Sequence, residues 1–226
     1  MTPQPGRPDE AAHCEQCPRL APGDAFGFAC RGCGDCCRGR RDLVLSGVDL
    51  YRLARWMRLP PRAVAGAFCK AYPAPGSGLP TLRLTPDPKT GNCRFLEGSG
   101  CAVHPARPLA CALYPLGQAI DPQTAAVEYY VQLPLCAPAD QSGRTLRDYL
   151  QGAGILARGG DDLAWAVQCT KLAERLQAAA HHRNLAAAQH RCERALYYDY
   201  ALGEEFYPQF ADNMQTLHAV LDRLLA

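Results

Sequence analysis

Apolar residues recur at helical spacing through the last part of the chain. Trp165, Cys169, Leu172 and Leu176 fall at i, i+4, i+7 and i+11, one face of a helix. Leu185, Ala188, Cys192 and Leu196 repeat the pattern, and Phe206, Phe210, Met214, Leu217, Leu221 and Leu224 extend it. Three amphipathic helices are therefore predicted, packing on the preceding region or on each other. Ahead of them the pattern is shorter and more broken. Residues 43–45 read as a short strand, and Ser46 with Asp49 three residues later forms a capping-box arrangement opening a helix through Met57. Pro60-Pro61 stops that helix, and Pro61 suits the first turn of a second one reaching about Ala71, with Cys69 on its apolar face. Residues 73–78 read as a loop. Runs at 81–85 and 93–96 predict two strands around the Pro-Asp-Pro-Lys-Thr-Gly turn, with a third at 101–103. Pro105 and Pro108 suit the start of a helix carrying Cys111 toward Tyr114-Pro115. Residues 116–120 and 126–133 predict a hairpin around Asp121-Pro122, leading to Cys136. No fixed-period repeat is visible.

These elements predict an α+β fold: a small cysteine-rich domain with short strands, extended by a helical C-terminal region. The expected division is a disordered lead-in over 1–13, a cysteine-cluster domain over 14–150 and a helical region over 151–226. At 226 residues the chain can bury a core without covalent staples. Its thirteen cysteines, eleven of them between 14 and 150, therefore need another explanation than rescue of a small domain. Residues 1–13 contain no apolar signal region, so a reducing cytoplasm, with thiols kept available, is the expected compartment. A net charge of +2 provides no field for nucleic acid, and no run of like charge points to an anionic membrane. No apolar stretch approaches the roughly 20 residues of a spanning helix, so a soluble protein is expected.

The chemistry is concentrated in Cys30-x-x-Cys33-x-x-Cys36-Cys37, followed by Cys93, by Cys101-x-x-His104 and by Cys111. Thiolate is a strong soft ligand, and a close-packed core has no use for four cysteines within eight residues, so the cluster reads as a metal site. Each Cys-x-x-Cys places two sulfurs on one tight turn whose backbone N–H groups can reach them, and Gly32 and Gly34 relieve the strain of such turns. Cys30, Cys33 and Cys36 resemble the three-ligand run of bacterial-type ferredoxins, where a remote cysteine completes the set. Cys37 breaks that picture: it serves a second metal, bridges two, or is spare. The candidate ligands are Cys30, Cys33, Cys36, Cys37, Cys93, Cys101, Cys111 and Cys136, enough for two four-coordinate sites or one larger cluster. His104 is a further candidate donor, with a turn-capping role as its alternative. Cys14-x-x-Cys17 with Cys30-x-x-Cys33 makes a Cys-x2-Cys-x12-Cys-x2-Cys arrangement close to a zinc ribbon, which would draw two ligands away from the main cluster. Arg38, Arg40 and Arg41 either offset the negative charge of a thiolate site or form a solvated basic turn, and Arg107 is placed to donate to its sulfurs or pair with a carboxylate. Cys69, Cys169 and Cys192 read as core thiols, and His181, His182 and His190 as solvated.

The segments Phe28-Ala-Cys-Arg-Gly-Cys-Gly-Asp-Cys-Cys37, Cys93-Arg-Phe-Leu96 and Gly100-Cys-Ala-Val-His-Pro-Ala-Arg-Pro-Leu-Ala-Cys-Ala-Leu-Tyr-Pro115, with Leu45-Ser-Gly-Val-Asp-Leu-Tyr-Arg-Leu-Ala54, resemble the YkgJ-type cysteine-cluster family over roughly residues 26–150. That family has the signature CxxCxxCC and is described as zinc- or iron-chelating. The resemblance implies metal chelation and no particular reaction.

Four functional readings remain open at this level. A zinc site would be structural, closed and tetrahedral. An iron–sulfur cluster, which the triple cysteine run favours, would be redox-active. Thiol-based storage or trafficking would make the metal a cargo. The signature also resembles a module of the flagellin lysine methylase, which implies S-adenosylmethionine-dependent methyl transfer. Against that reading, no glycine-rich strand-to-helix turn and no recognisable triad or carboxylate pair is present. The sequence names no protein partner.

Overall fold

Ser46 does open a helix. In the computed structural model, which describes residues 17–39, 43–132, 139–140 and 143–226, the Ser46 hydroxyl accepts from the Asp49 N–H at 3.0 Å. The Asp49 carboxylate answers by accepting from the Ser46 N–H at 3.1 Å, so two orphan donors of the helix end are satisfied reciprocally. The resulting helix α1 (Gly47–Met57) is stopped by Arg58, in the left-handed region, and by Pro60 and Pro61. Pro61 begins α2 (Pro61–Phe68) at a position whose N–H would be unsatisfied anyway.

The architecture is α+β. Four small antiparallel sheets form among the described residues. Strands β3 (Val44–Leu45), β5 (Pro80–Leu84) and β4 (Cys69–Pro73) make one, in the order β3-β5-β4. The predicted hairpin is present as β8 (Leu116–Ile120) and β9 (Val127–Val131), with β1 (Arg19–Leu20) added outside β9. The pairs β2 (Phe28–Ala29) with β10 (Ala139–Asp140), and β6 (Leu96–Glu97) with β7 (Gly100–Cys101), complete the set. Between β7 and β8, a 3-10 turn at His104–Ala106 leads into the short helix α3 (Leu109–Leu113).

Local periodicity misplaces several boundaries here. The second helix ends at Phe68 rather than Ala71, and Cys69 lies on a strand rather than a helical face. Every residue from Cys69 to Pro73 pairs with β5, and Thr85 donates back to the Phe68 carbonyl. That non-local pairing overrides the local helical preference of the sequence. The strand expected at 93–96 is reduced to Leu96–Glu97, because Cys93 through Phe95 are spent on a bridge to Pro86 and a turn closed by Leu96 N–H to Cys93 C=O.

Four helices follow. Helix α4 (Leu146–Gly152), opened by a Thr145–Asp148 capping box, was not signalled by periodicity; α5 (Ile155–Ala178), α6 (Leu185–Tyr197) and α7 (Phe206–Leu224) are the three predicted ones. Their apolar faces are buried as expected: Leu172, Leu176, Ala188, Cys192, Leu196 and Leu221 are fully inaccessible to solvent. These residues share one hydrophobic core with Leu45, Leu50 and Leu53 of the cysteine-rich half. A second, smaller cluster gathers Phe26, Phe28, Leu113, Leu116, Leu146, Tyr149 and Ile155. No helix among the described residues is long and apolar enough to cross a membrane.

One buried ionic knot joins the helices. Arg158 on α5 makes a two-pronged contact with Asp162 one turn on, at 2.6 and 2.7 Å, and reaches Asp49 of α1 at 2.7 Å. All three residues are within 4 % of complete burial. The same Asp49 oxygen that meets Arg158 also accepts the Leu109 N–H at 2.8 Å. A residue read from sequence only as a helix cap therefore also anchors the start of α3.

Candidate metal centre

Three separate chain segments are brought to one cavity. The first is the turn after β2. Gly32 and Gly34 adopt positive φ, the Gly32 N–H points at the Cys30 sulfur at 3.4 Å, and a single 3-10 turn (Asp35–Cys37) carries the last two cysteines. The expected N–H to sulfur contact of a Cys-x-x-Cys turn is thus present. That 3-10 turn brings the adjacent Cys36 and Cys37 sulfurs to 4.0 Å, both at the cavity wall. The second segment is the β6–β7 hairpin with Cys93 before it and Cys101 at its end; the Cys93 N–H donates to the Cys37 carbonyl at 2.8 Å. The third is α3, carrying Cys111.

Gly34 packs closely against the second segment. A Cβ there would lie 2.7 Å from the Ser99 carbonyl oxygen and 2.7 Å from Leu96 Cδ1, and Gly34 holds φ at +74°. At Gly32 the φ is similar, +67°, but a Cβ would meet nothing within 4 Å. Gly34→Ala and Gly32→Ala should each cost about 1–3 kcal/mol of backbone strain. Only Gly34→Ala should also separate the two cysteine-bearing segments. The expected outcome is lower metal content for Gly34→Ala and normal content for Gly32→Ala, read by elemental analysis of the purified proteins.

Among the described residues the cavity is lined by Cys30, Cys33, Cys36 and Cys37, by Cys93 and Cys101, and by Cys111. Its volume is about 50 Å³, far below the roughly 300–1,000 Å³ of sites for organic ligands. It lies at the seam of the two hydrophobic clusters: Leu43, Leu84, Phe95 and Val103 wall it from one, and Phe28 and Tyr114 from the other. Cys30 is exposed at the rim, Cys37 is buried, and the remaining thiols are half-buried. No disulfide joins the described cysteines.

The thiols interact strongly. Hydrogen bonds with Cys101, Cys36 and Cys93, together with burial, hold the Cys37 thiol far above its ordinary range. Its partner moves the other way: the bond from Cys37, helped by the Val103 backbone and Arg107, brings Cys101 down to about 7 against the opposing effect of burial. Cys101 therefore gives up its proton first, with Cys37 as the donor that holds it. Among the described residues no three His, Cys, Asp or Glu side chains converge as a ready-formed cage; the sulfurs hydrogen-bond one another around the cavity instead. Soft donors, apolar walls and a small volume nevertheless fit a thiophilic metal, whose capture would replace thiol protons and draw the sulfurs inward.

The other candidates fall out differently. His104 lines the cavity, but its Nε2 is 2.7 Å from Arg107 Nη1 and is held as the acceptor of that guanidinium; burial and Arg107 both keep the ring below its ordinary pKa. Arg107 thus lines the cavity and bonds His104. Cys17 is not among the residues that line this cavity. Cys14, Cys136, Arg40 and Arg41 lie outside the described residues. Arg38 turns to Asp35 at 2.9 Å and to the Cys33 carbonyl at 3.1 Å. The three thiols assigned to packing, Cys69, Cys169 and Cys192, are each pushed up to about 12 by burial.

Sequence reading missed Arg31, which lines the cavity, and Tyr149, whose hydroxyl donates to the Ala112 and Tyr114 carbonyls at 2.9 and 2.7 Å and so fastens the end of α3. The aromatic Tyr149 on the short α4 carried no spacing signal that could have placed it there.

Comparison with curated proteins and with solved structures gives no match. Residues 29–137 match the family model described as "CxxCxxCC: Putative zinc- or iron-chelating domain". That stretch, just under half of the chain, holds every cysteine of the cavity and is similar to the CxxCxxCC family described as zinc- or iron-chelating domains.

Proposed function

We propose that this protein holds iron, as an iron–sulfur cluster, in the cysteine cavity. The observation that carries this reading is the number of sulfurs at one small cavity. A closed zinc site uses four donors, whereas seven thiols from three segments line this one. The ligands would come from Cys30, Cys33, Cys36, Cys37, Cys93, Cys101 and Cys111, with Cys136 as an eighth candidate from its place in the sequence. Such a cluster would supply one-electron redox chemistry. The protein's own part is to exclude water with Phe28, Phe95, Val103 and Tyr114, and to set Arg31 and Arg107 beside the developing negative charge of the thiolates.

The test is elemental analysis of protein purified without oxygen, with a visible absorption spectrum on the same sample. Iron with acid-labile sulfide and a broad visible band is the expected result. Colourless protein with stoichiometric zinc would overturn the iron assignment and leave a zinc-chelating domain. Protein that takes up neither metal on reconstitution would overturn ligation by the cavity altogether. Loss of metal to a competing chelator without unfolding would mark the metal as cargo rather than as part of the fold.

A further inference from the structure

Strand β4 stands at the end of its sheet, in the order β3-β5-β4, and no strand lies beyond it among the described residues. The phase of its hydrogen bonds is set at both ends. The Thr85 N–H meets the Phe68 carbonyl and the Ala74 N–H meets the Leu79 carbonyl, each at 2.8 Å, and bonded pairs alternate along an antiparallel ladder. The main chains of Lys70 and Tyr72 therefore bond β5, whereas those of Cys69, Ala71 and Pro73 point away from it. The Cys69 N–H turns back to the Ala65 carbonyl. What faces outward is the Ala71 N–H with the carbonyls of Cys69, Ala71 and Pro73, along a stretch, 70–73, that is exposed throughout.

The register also sorts the side chains into two rows. On the core side, Leu45, Leu82 and Ala71 lie side by side across the three strands, and the row passes from two buried leucines to an exposed alanine. On the opposite face the corresponding row is Val44, Arg83 and Lys70. Arg83 and Lys70 are thus cations set directly opposite one another, an arrangement that destabilises a sheet unless negative charge offsets it. Neither enters an ion pair among the described residues; Arg83 lies 5.8 Å over the ring of Tyr72, which is itself 46 % exposed. Lys70 is open to solvent.

We infer that β4 receives an extended peptide segment of another protein, with acidic and apolar residues in alternation, as an added antiparallel strand. Main-chain bonds to an open sheet edge supply affinity, and alternate side chains supply specificity. A residue opposite Ala71 exchanges both main-chain bonds with it and carries the apolar row of Leu45 and Leu82 one step outward. Its neighbours project to the other face, where carboxylates meet Lys70 and Arg83. A second copy of this edge is the poorer occupant, because it would gather the Lys70 and Arg83 of both chains at one seam. No residue of β4 lines the cysteine cavity, so the assignment is independent of the metal.

The test is fluorescence anisotropy of labelled Glu-Val-Glu-Val-Glu-Val titrated with the intact protein. Saturable binding is expected, with the Lys-Val counterpart at least about 10-fold weaker. N-methylation of the valines should abolish binding while N-methylation of the glutamates should leave it, since only the valine N–H groups would face β4. Lys70→Glu, at an exposed position, should weaken Glu-Val binding by about 10-fold or more with circular dichroism and metal content unchanged. Absence of saturable binding, equal binding of the valine-methylated peptide, or wild-type affinity in folded Lys70→Glu would each overturn the proposal. Protein that sediments as a dimer and binds no peptide would also overturn it and give the edge to a second copy.

Discussion

Cys37→Ser is expected to abolish stoichiometric metal loading. Cys37 is the most buried thiol of the cavity, at 8 % exposure, and it hydrogen-bonds the thiols of Cys101, Cys36 and Cys93. It is therefore central to the thiol group, and a hydroxyl in its place is a harder, poorer ligand for a thiophilic metal. The matched control is Cys192→Ala. Cys192 is completely inaccessible on α6, belongs to the main core and does not line the cavity. Its loss should cost about 1 kcal/mol for the small void and leave metal content intact. Elemental analysis of both variants, with circular dichroism to establish folding, decides the matter. Equal loading of the two would remove Cys37 from the ligand set.

Arg158→Met should be the most destabilising single substitution outside the cysteines, by about 3–5 kcal/mol near neutral pH, because it leaves two carboxylates buried without their cation. The pH dependence has a definite sign. Burial already holds the Asp162 carboxyl above its ordinary range, with Arg158 as the opposing influence. A folded pKa above the unfolded value means that the contribution of this group is fully present below the unfolded pKa and is lost as pH rises through the folded one. Removing Arg158 raises the folded pKa further, so the deficit of the variant should be small at ~pH 4 and full at ~pH 7. Thermal unfolding at the two pH values measures it; a deficit independent of pH would contradict the buried-pair account. The effect should also reach the cysteine cavity. Asp49 accepts the Leu109 N–H that starts α3, and α3 carries Cys111. A loosened Asp49 should weaken metal retention by about 10-fold or more, as loss of groups that orient ligands does, measurable by chelator competition on folded Arg158→Met.

The cysteine site was legible because its signal is local. Cys30 to Cys37 are bound to each other by chain connectivity within a single tight turn, and the Gly32 N–H contact to sulfur follows from that spacing alone. The α1 cap was legible for the same reason: both partners of the Ser46–Asp49 exchange lie within one helical turn. The apolar stripes of α5, α6 and α7 are also short-range patterns, and Leu172, Ala188, Leu196 and Phe210 are buried where the stripes place them. By contrast, α4 and Tyr149 were not foreseen, because the packing of a seven-residue helix against Phe26 and Phe28 leaves too little periodicity to read.

The sequence by itself thus determined the α+β class, the three long helices and which cysteines are chemically distinctive, since each depends on residues a few positions apart. Only the tertiary structure decided that Cys93, Cys101 and Cys111 line the cavity of the Cys30–Cys37 turn while Cys17 does not, that Cys69 lies on a strand, and that Asp49 is shared between a helix cap, Arg158 and the start of α3. Those outcomes depend on pairings across tens of residues: the Cys93 N–H on the Cys37 carbonyl, β4 on β5, and Arg158 on Asp49. Such pairings are selected by burial and hydrogen-bond satisfaction in the whole fold, where local spacing has no influence.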